Sequence, residues 1–264
     1  VSGPVRLAVV GAGGRVGSSL LRLAREPEFR VTRAVGRGDV GRDVGGLAGG
    51  DVAGVLVEGG AAALASGGFD VAVDFSSPDL VPELAAAVAA SGGGLVSGTT
   101  GLSAEGERAL AEASRRIPVL WAPNMSVGVH VLGGLLRAAL DALGAGFDIE
   151  IVETHHRAKV DAPSGTALRL AAIARDARGE GALQNGREGR PGPRAAAEIG
   201  LHAVRGGDIV GDHSVHLLGL GERLELVHRA TSRELFAHGA LRAAAWLAGK
   251  PAGRYSLDDV LGGR

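Results

Sequence analysis

The sequence predicts an α/β protein in two parts: a parallel sheet covered by helices on both faces, then a second α+β domain built on an open mixed sheet. Three observations carry this. Up to about residue 125, short unbroken apolar strands alternate with helical stretches. A glycine-rich turn joins the first strand to the first helix. Beyond residue 125 the strand candidates turn half polar and succeed one another across short turns. Continuous apolar runs suit parallel strands buried on both faces, whereas alternating runs suit a sheet with one face wet.

The elements follow in order. Residues 5–10 are a continuous apolar strand. Residues 15–25 carry Val16, Leu20 and Leu23 at helical spacing, and Pro27 ends that helix. Residues 31–35 form a second strand, and 37–54, rich in glycine and charge, read as a loop. A third strand spans 71–75 and a helix 80–90, begun near Ser77-Pro78. The strand 95–97 runs into Gly98-Thr99-Thr100-Gly101. An amphipathic helix at 103–116 and a strand at 119–121 complete the first part. The second part opens with one long helix, 127–143, and a strand at 148–153 that alternates with period two. After a helix at 166–178 comes a loop, 184–194, dense in Gly, Pro and Arg. Strands are expected at 198–204, 214–218 and 223–228, with turns at Gly211-Asp212 and 219–221. Thr231-x-x-Glu234 is a capping box opening a final helix through Leu247.

Composition narrows the function. Lys plus Arg number 28 against 29 Asp plus Glu, a formal net charge of -1. That balance argues against a strongly basic nucleic-acid binder, and with 5 Phe, 2 Trp and 1 Tyr stacking platforms are scarce. With no cysteine, disulfides, thiolate nucleophiles and cysteine metal sites are all excluded. The longest nonpolar stretches, near 84–90 and 243–248, are far short of the ~18 residues a membrane helix needs. The chain enters an apolar strand directly, so a secretory leader is not expected. A cytoplasmic protein with neither membrane nor nucleic-acid partner is expected.

Gly11, Gly13 and Gly14 stand where a strand gives way to a helix. Such glycines let the backbone approach a pyrophosphate, and the helix N-terminus offers free N–H donors. This reads as a Rossmann-like dinucleotide site, against the plainer reading of a tight turn in a glycine-rich chain. An acidic side chain at the end of the second strand would favour NADH. Here the segment is Val35-Gly36-Arg37-Gly38, with no carboxylate before Asp39. Arg37, helped by Arg15, suits a 2′-phosphate, so the site tilts toward NADPH with NADH still open.

The most informative segment runs from Glu153 to Thr166. His155, His156, Arg157 and Lys159 stand at a strand end, and Ser164 can cap the next helix, leaving Gly165 and Thr166 with accessible amides. Together these make an anion site in an otherwise near-neutral chain. Zinc is a weaker reading: there is no H-E-x-x-H, and the lysine would repel a cation. A histidine exchanges protons near neutral pH and a lysine donates one or fixes a carboxylate. A small anionic substrate reduced by a nicotinamide would use both.

With these residues in view, the chain closely resembles the 4-hydroxy-tetrahydrodipicolinate reductase (dihydrodipicolinate reductase) family of lysine and diaminopimelate synthesis. The anchors are Gly11–Gly17, Asp74-Phe75, Gly98-Thr99-Thr100-Gly101, the stretch from Ala122 to Gly128 and, above all, His155-His156-x-x-Lys159-x-Asp161-x-Pro163-Ser164-Gly165-Thr166. The stretches 205–211 and 232–240 also match. The resemblance implies that His155 is the acid/base residue, assisted by Lys159, and that His156, Gly165 and Thr166 hold the substrate carboxylates. It places Gly11, Ala12, Gly13, Gly14, Arg15, Val16 and Arg37 on the cofactor phosphates and ribose. Gly98, Thr99 and Thr100 would lie along the nicotinamide half, with the backbone of Ala122, Pro123, Asn124 and Met125. Met125 stands where the family commonly has Phe, and Gly36 replaces an acidic residue common in members that use NADH well.

The implied reaction takes the hydroxylated cyclic imine through loss of water to a dihydropyridine dicarboxylate. Hydride is added at C4 and a proton at C3. No metal is implied. The resemblance further implies a dinucleotide-binding domain at 1–126, to which 235–264 return, and a substrate-binding and oligomerisation domain at 127–234. The two would close over the ternary complex, in a homotetramer assembled through the second domain's sheet. Other two-domain dehydrogenases are disfavoured: the thiol chemistry of a semialdehyde dehydrogenase is impossible without cysteine, and a homoserine dehydrogenase would not require the His155–Thr166 cluster. A nucleotide sensor could dispense with His155 and Lys159, and a DNA-binding redox regulator would need a basic appendage.

Overall fold

The computed structural model describes residues 3–49, 54–179 and 181–262. The chain divides into two compact units, Val1–Ser126 with Glu234–Arg264, and Val127–Arg233. In chain order the first stretch holds β1 (Val5–Val10), α1 (Arg15–Leu23), β2 (Phe29–Val35), α2 (Val44–Ala48), β3 (Val57–Glu58), β4 (Val71–Asp74), α3 (Val81–Ser91), β5 (Gly94–Ser97), α4 (Ala104–Ala113) and β6 (Pro118–Trp121). The second unit holds α5 (Val127–Leu143), β7 (Asp148–His155), α6 (Gly165–Arg178), β8 (Leu183–Asn185), β9 (Ile199–Arg205), β10 (Gly211–Leu218) and β11 (Arg223–Ala230). The chain then adds α7 (Glu234–Leu247), β12 (Gly253–Tyr255) and α8 (Leu257–Val260) to the first unit.

The first unit is a seven-stranded parallel sheet in the order β12-β6-β5-β4-β1-β2-β3. Its central strands β4, β5 and β6 are buried almost throughout because both faces are covered. Leu7 and Val9 of β1 enter a core shared with α1, α7 and α8, while Ala8 and Val10 enter one shared with α3 and α4. From β1 the chain moves outward one way through β2 and β3, then the other way through β4, β5 and β6. The crevice where that order reverses, at the carboxyl ends of β1 and β4, is where open parallel sheets bind ligands.

The second unit is a five-stranded mixed sheet, β11-β10-β7-β9-β8. β7 is antiparallel to β10 and parallel to β9. The period-two pattern of β7 has a direct cause. Ile149 and Ile151 pack under α5 and α6 with Val215, Leu217, Leu136 and Leu170, while Glu150 lies on the opposite face. There Glu150 binds Arg187, Arg194 and His202. Among the described residues one stretch, Val127–Gly146, is long and apolar enough to cross a membrane by length and composition. Its Leu132, Leu136 and Leu140 are buried in the core of this unit.

Four sequence expectations need correction. The loop at 37–54 contains α2, capped by the Asp43 carboxylate on the Gly45 amide, with Val44 and Ala48 buried; residues 50–53 lie outside the described residues. The loop at 184–194 begins inside β8, whose Leu183–Asn185 pair with β9. Gly211 and Asp212 open β10 rather than turn. The helix after residue 231 begins at Glu234, and it is not the last element, since β12 joins the sheet beside β6.

Candidate active site

In the first unit the crevice is a cleft of about 440 Å³ lined by the glycine turn, by Val35–Asp39 and by Phe75–Ser77 with Leu80 and Gly60. Gly11 has φ +81°, and a Cβ there would stand 2.5 Å from the Phe75 carbonyl oxygen. Gly14 is the N-cap of α1 and carries no side-chain cap, so the first amides of the helix are left to another acceptor. Gly17 packs so closely on the Gly11 carbonyl that any side chain would collide. The backbone therefore requires glycine at positions 11 and 17, while a Cβ at Gly14 would make a tight 3.0 Å contact with the Gly11 carbonyl oxygen. Gly13 is exposed, next to the Asp39 carboxylate. Arg15 is exposed, Val16 is partly buried and Ala12 is fully buried.

Arg37 is exposed at the rim, and its guanidinium donates to the Ser77 hydroxyl. Asp39 also lines the cleft and pairs with Arg42 at 2.8 Å. Arg37 is thus followed, two residues on, by a carboxylate that reaches the same cleft.

The carboxyl ends of β4 and β5 are tied by one buried acid. Asp74 is fully buried and accepts from the hydroxyls of Ser76 (2.5 Å), Ser97 (2.7 Å) and Thr99 (2.8 Å). Burial raises its pKa, and those bonds oppose the rise. The Thr99 side chain is engaged on Asp74, and its carbonyl accepts from the Trp121 indole at 2.9 Å. Gly98 lies under the Phe75 ring, and Thr100 is exposed. Ala122 and Met125 are buried, Pro123 is exposed, and Asn124 accepts from the Ser126 amide at 2.8 Å. Gly239 of α7 presses on the Met125 carbonyl, so the returning helix supports this segment.

In the second unit, β7 ends on His155, which is 9% exposed. Its Nδ1 lies 2.5 Å from Oε2 of Glu153, whose side chain is wholly buried. Glu153 also accepts from both terminal nitrogens of Arg205, each at 2.8 Å, and from the Ser164 amide at 3.0 Å. Burial alone would raise this carboxyl; the bonds from Arg205, His155 and Ser164 outweigh it and hold the pKa below the ordinary value. His213 of β10 meets His155 edge-on at 5.2 Å between ring centres, and its Nε2 is 3.2 Å from the Ser164 hydroxyl. Burial first, then the neighbouring His155, push His213 down to about 4, against the pull of Glu153.

The loop after β7 is pinned by backbone bonds, Gly206 to the His155 carbonyl and Lys159 to that of His156. Lys159 pairs with Asp161 at 2.7 Å. His156 and Thr166 are half-buried and Gly165 is exposed. Ser164 caps α6 by accepting from the Ala167 amide at 3.2 Å. His155, His156, Lys159 and the first turn of α6 thus all lie in and around one short loop. The sequence reading left four participants without a role: Glu153, Arg205, His213 and Asp161. The signal for Glu153 was present, because residues two apart on a strand share a face. Arg205 and His213 arrive through strand pairing, with β9 placing Arg205 opposite His155 and β10 placing His213 opposite Glu153.

Comparison with known proteins places both units in one family. Family models described as the N-terminus and the C-terminus of dihydrodipicolinate reductase match residues 5–125 and 128–261. The 4-hydroxy-tetrahydrodipicolinate reductase of Anaeromyxobacter dehalogenans strain 2CP-1 is 49% identical, covering 97% of each chain. That of Myxococcus xanthus strain DK1622 is 46% identical, covering 98% of each. A dipicolinate-bound dihydrodipicolinate reductase from Paenisporosarcina sp. TG-14 superposes with a TM-score of 0.74 over 96% of this chain and 97% of its own, at 22% identity, and shares the fold.

Proposed function

The chain belongs to the dihydrodipicolinate reductase family, and from that premise we propose how its residues carry the family's reaction. It is an enzyme that reduces dihydrodipicolinate to tetrahydrodipicolinate with NAD(P)H, in diaminopimelate and lysine synthesis. The finer reading is that it takes 4-hydroxy-tetrahydrodipicolinate and that water is lost. The observation that carries the site assignment is the His155 ring, held by a buried carboxylate beside the N-terminus of α6.

The first unit takes the dinucleotide. The glycine turn fits a pyrophosphate, because a side chain at Gly11 or Gly17 would strike backbone and the first amides of α1 have no side-chain cap. Gly11 to Val16 and Arg37 hold the phosphates and ribose, and Gly98 to Thr100 with Ala122 to Met125 take the nicotinamide half. When bound, the reduced nicotinamide supplies the hydride. Arg37 favours NADPH through its charge.

The second unit takes the dicarboxylate. His156 and the amides of Gly165 and Thr166 receive the carboxylates, where the helix dipole favours negative charge. His155 and Lys159 manage the proton that balances hydride addition, and Lys159 exchanges its Asp161 partner for substrate. The cationic cluster stabilises charge developing on the ring. The chain works in the cytoplasm as a homotetramer built through the sheet of the second unit; its eight-residue end strand β11, with exposed Leu224 and Val227, supports that assembly.

A coupled assay tests this reading. Pyruvate and aspartate semialdehyde are supplied with the synthase that precedes this step, and oxidation of NADPH and NADH is followed by absorbance. Wild type oxidises cofactor only when substrate is formed. His155→Ala and Lys159→Ala each lose at least about a hundredfold in kcat while still binding cofactor. Substrate-independent oxidation, or full activity in both variants, would overturn the assignment.

A further inference from the structure

We propose that Glu153 is the positioning residue of the site: it fixes which ring nitrogen of His155 carries hydrogen and so leaves Nε2 as the atom that exchanges a proton. The inference rests on the reading of His155 as the acid/base residue. Glu153 and His155 stand two apart on β7 and share its inner face. Four N–H contacts converge on the carboxylate. Oε1 takes the Ser164 amide and one Arg205 nitrogen; Oε2 takes the other Arg205 nitrogen and Nδ1 of His155. A backbone amide and a guanidinium donate only. Arg205 and its bidentate grip keep the carboxylate ionised, so it accepts throughout. The hydrogen in the 2.5 Å contact therefore belongs to the imidazole. Neutral His155 is then Nδ1–H, with a bare lone pair on Nε2.

The far side of the ring agrees. Nε2 faces Gly211 of β10, where a Cβ would stand 2.9 Å from Nε2. Glycine there leaves the reactive nitrogen uncovered. Beside the ring stands His213 of β10, pushed down to about 4 and so uncharged at neutral pH, and on the loop that follows β7 Lys159 is paired with Asp161. None of these replaces Glu153 as the acceptor for Nδ1–H. An inert structural role for the Glu153–Arg205 pair would account for its burial, but it would set no requirement on the His155 tautomer.

The test uses the full chain labelled with 15N-histidine, at pH 8, with multiple-bond 1H–15N spectra; His155 is assigned by the signal lost in His155→Asn. The expected wild-type result is Nδ1–H with Nε2 unprotonated. In Glu153→Gln the single oxygen is drawn to Ser164 and Arg205, and the NH2 group faces Nδ1. The ring inverts to Nε2–H, and kcat falls at least about a hundredfold while KM for the dicarboxylate changes less than about threefold. Gly211→Ala keeps the Nδ1–H signature but covers Nε2, and it lowers kcat without inverting the ring. An Nε2–H ring in wild type, or an inverted ring with unchanged kcat in Glu153→Gln, overturns the inference. Should Glu153→Gln fail to fold, the wild-type tautomer and Gly211→Ala decide it. Retention of kcat by His155→Ala overturns the underlying reading instead, and it is separable because the tautomer is measured without substrate.

Discussion

Arg37 stands two residues beyond the end of β2, in the region that in dinucleotide sites meets the adenine ribose. Its guanidinium rests on the Ser77 hydroxyl, and the Asp39 carboxylate shares the cleft. A 2′-phosphate is attracted by the first and repelled by the second. Arg37→Ala should weaken NADPH by about tenfold or more, in line with a lost charge-assisted bond, and NADH far less. Asp39→Ala should act the other way, tightening NADPH. Titration of both cofactors against both variants checks this; equal losses of NADPH and NADH in Arg37→Ala would remove its role. At this scale the sequence was legible where chemistry clusters in one segment. His155, His156, Lys159, Gly165 and Thr166 are neighbours in the chain, so they could be picked out together. Arg205 and His213 could not, because they reach His155 and Glu153 only through the register of β9 and β10.

Among the elements proposed to take the dicarboxylate is α6, capped by Ser164. Ser164 supports it twice, accepting from the Ala167 amide and sharing a bond with His213. Its own amide is fixed on Glu153. Loss of an N-cap costs about 1 kcal/mol, and a buried imidazole left without its partner adds to that. Ser164→Ala should therefore lower the unfolding free energy by about 1–2 kcal/mol in urea and raise KM for the dicarboxylate severalfold by loosening the first turn. A loss below about 0.3 kcal/mol would mean that the cap contributes little. Strands and helices with a clear period were readable: α5 falls on the predicted 127–143, and β7 alternates as its pattern requires. The elements missed lack that signal. α2 is five residues with two glycines, β3 is two residues and β8 is three. Such short pieces are set by what they pair with, β3 by β2 and β8 by β9, and local pattern does not contain the partner.

For the whole molecule, the buried ionisable groups of the second unit dictate its response to acid. His213 is 4% exposed and pushed down to about 4, from an ordinary value of 6.5. Between those values the unfolded chain takes up a proton that the fold excludes, so stability falls as pH falls. The contribution is complete above pH 6.5 and is lost progressively down to about 4, where the folded protein also protonates. The most it can amount to is about 3 kcal/mol, a large part of the usual 5–15 kcal/mol. His228, also pushed down by burial, acts in the same direction. Glu150 works in a lower window: held at about 2 by Arg187, His202 and Arg194 against its burial, it stabilises fully above 4.5 and loses that effect between 4.5 and 2. Acid unfolding should accordingly proceed in two limbs. Urea midpoints from pH 8 to pH 3 should fall first between 6.5 and 4, then again below 4.5. In His213→Gln, which cannot titrate, the upper limb should shrink to the part due to His228 while the lower limb stays. An unchanged upper limb in that variant would mean that His213 is not held neutral in the fold.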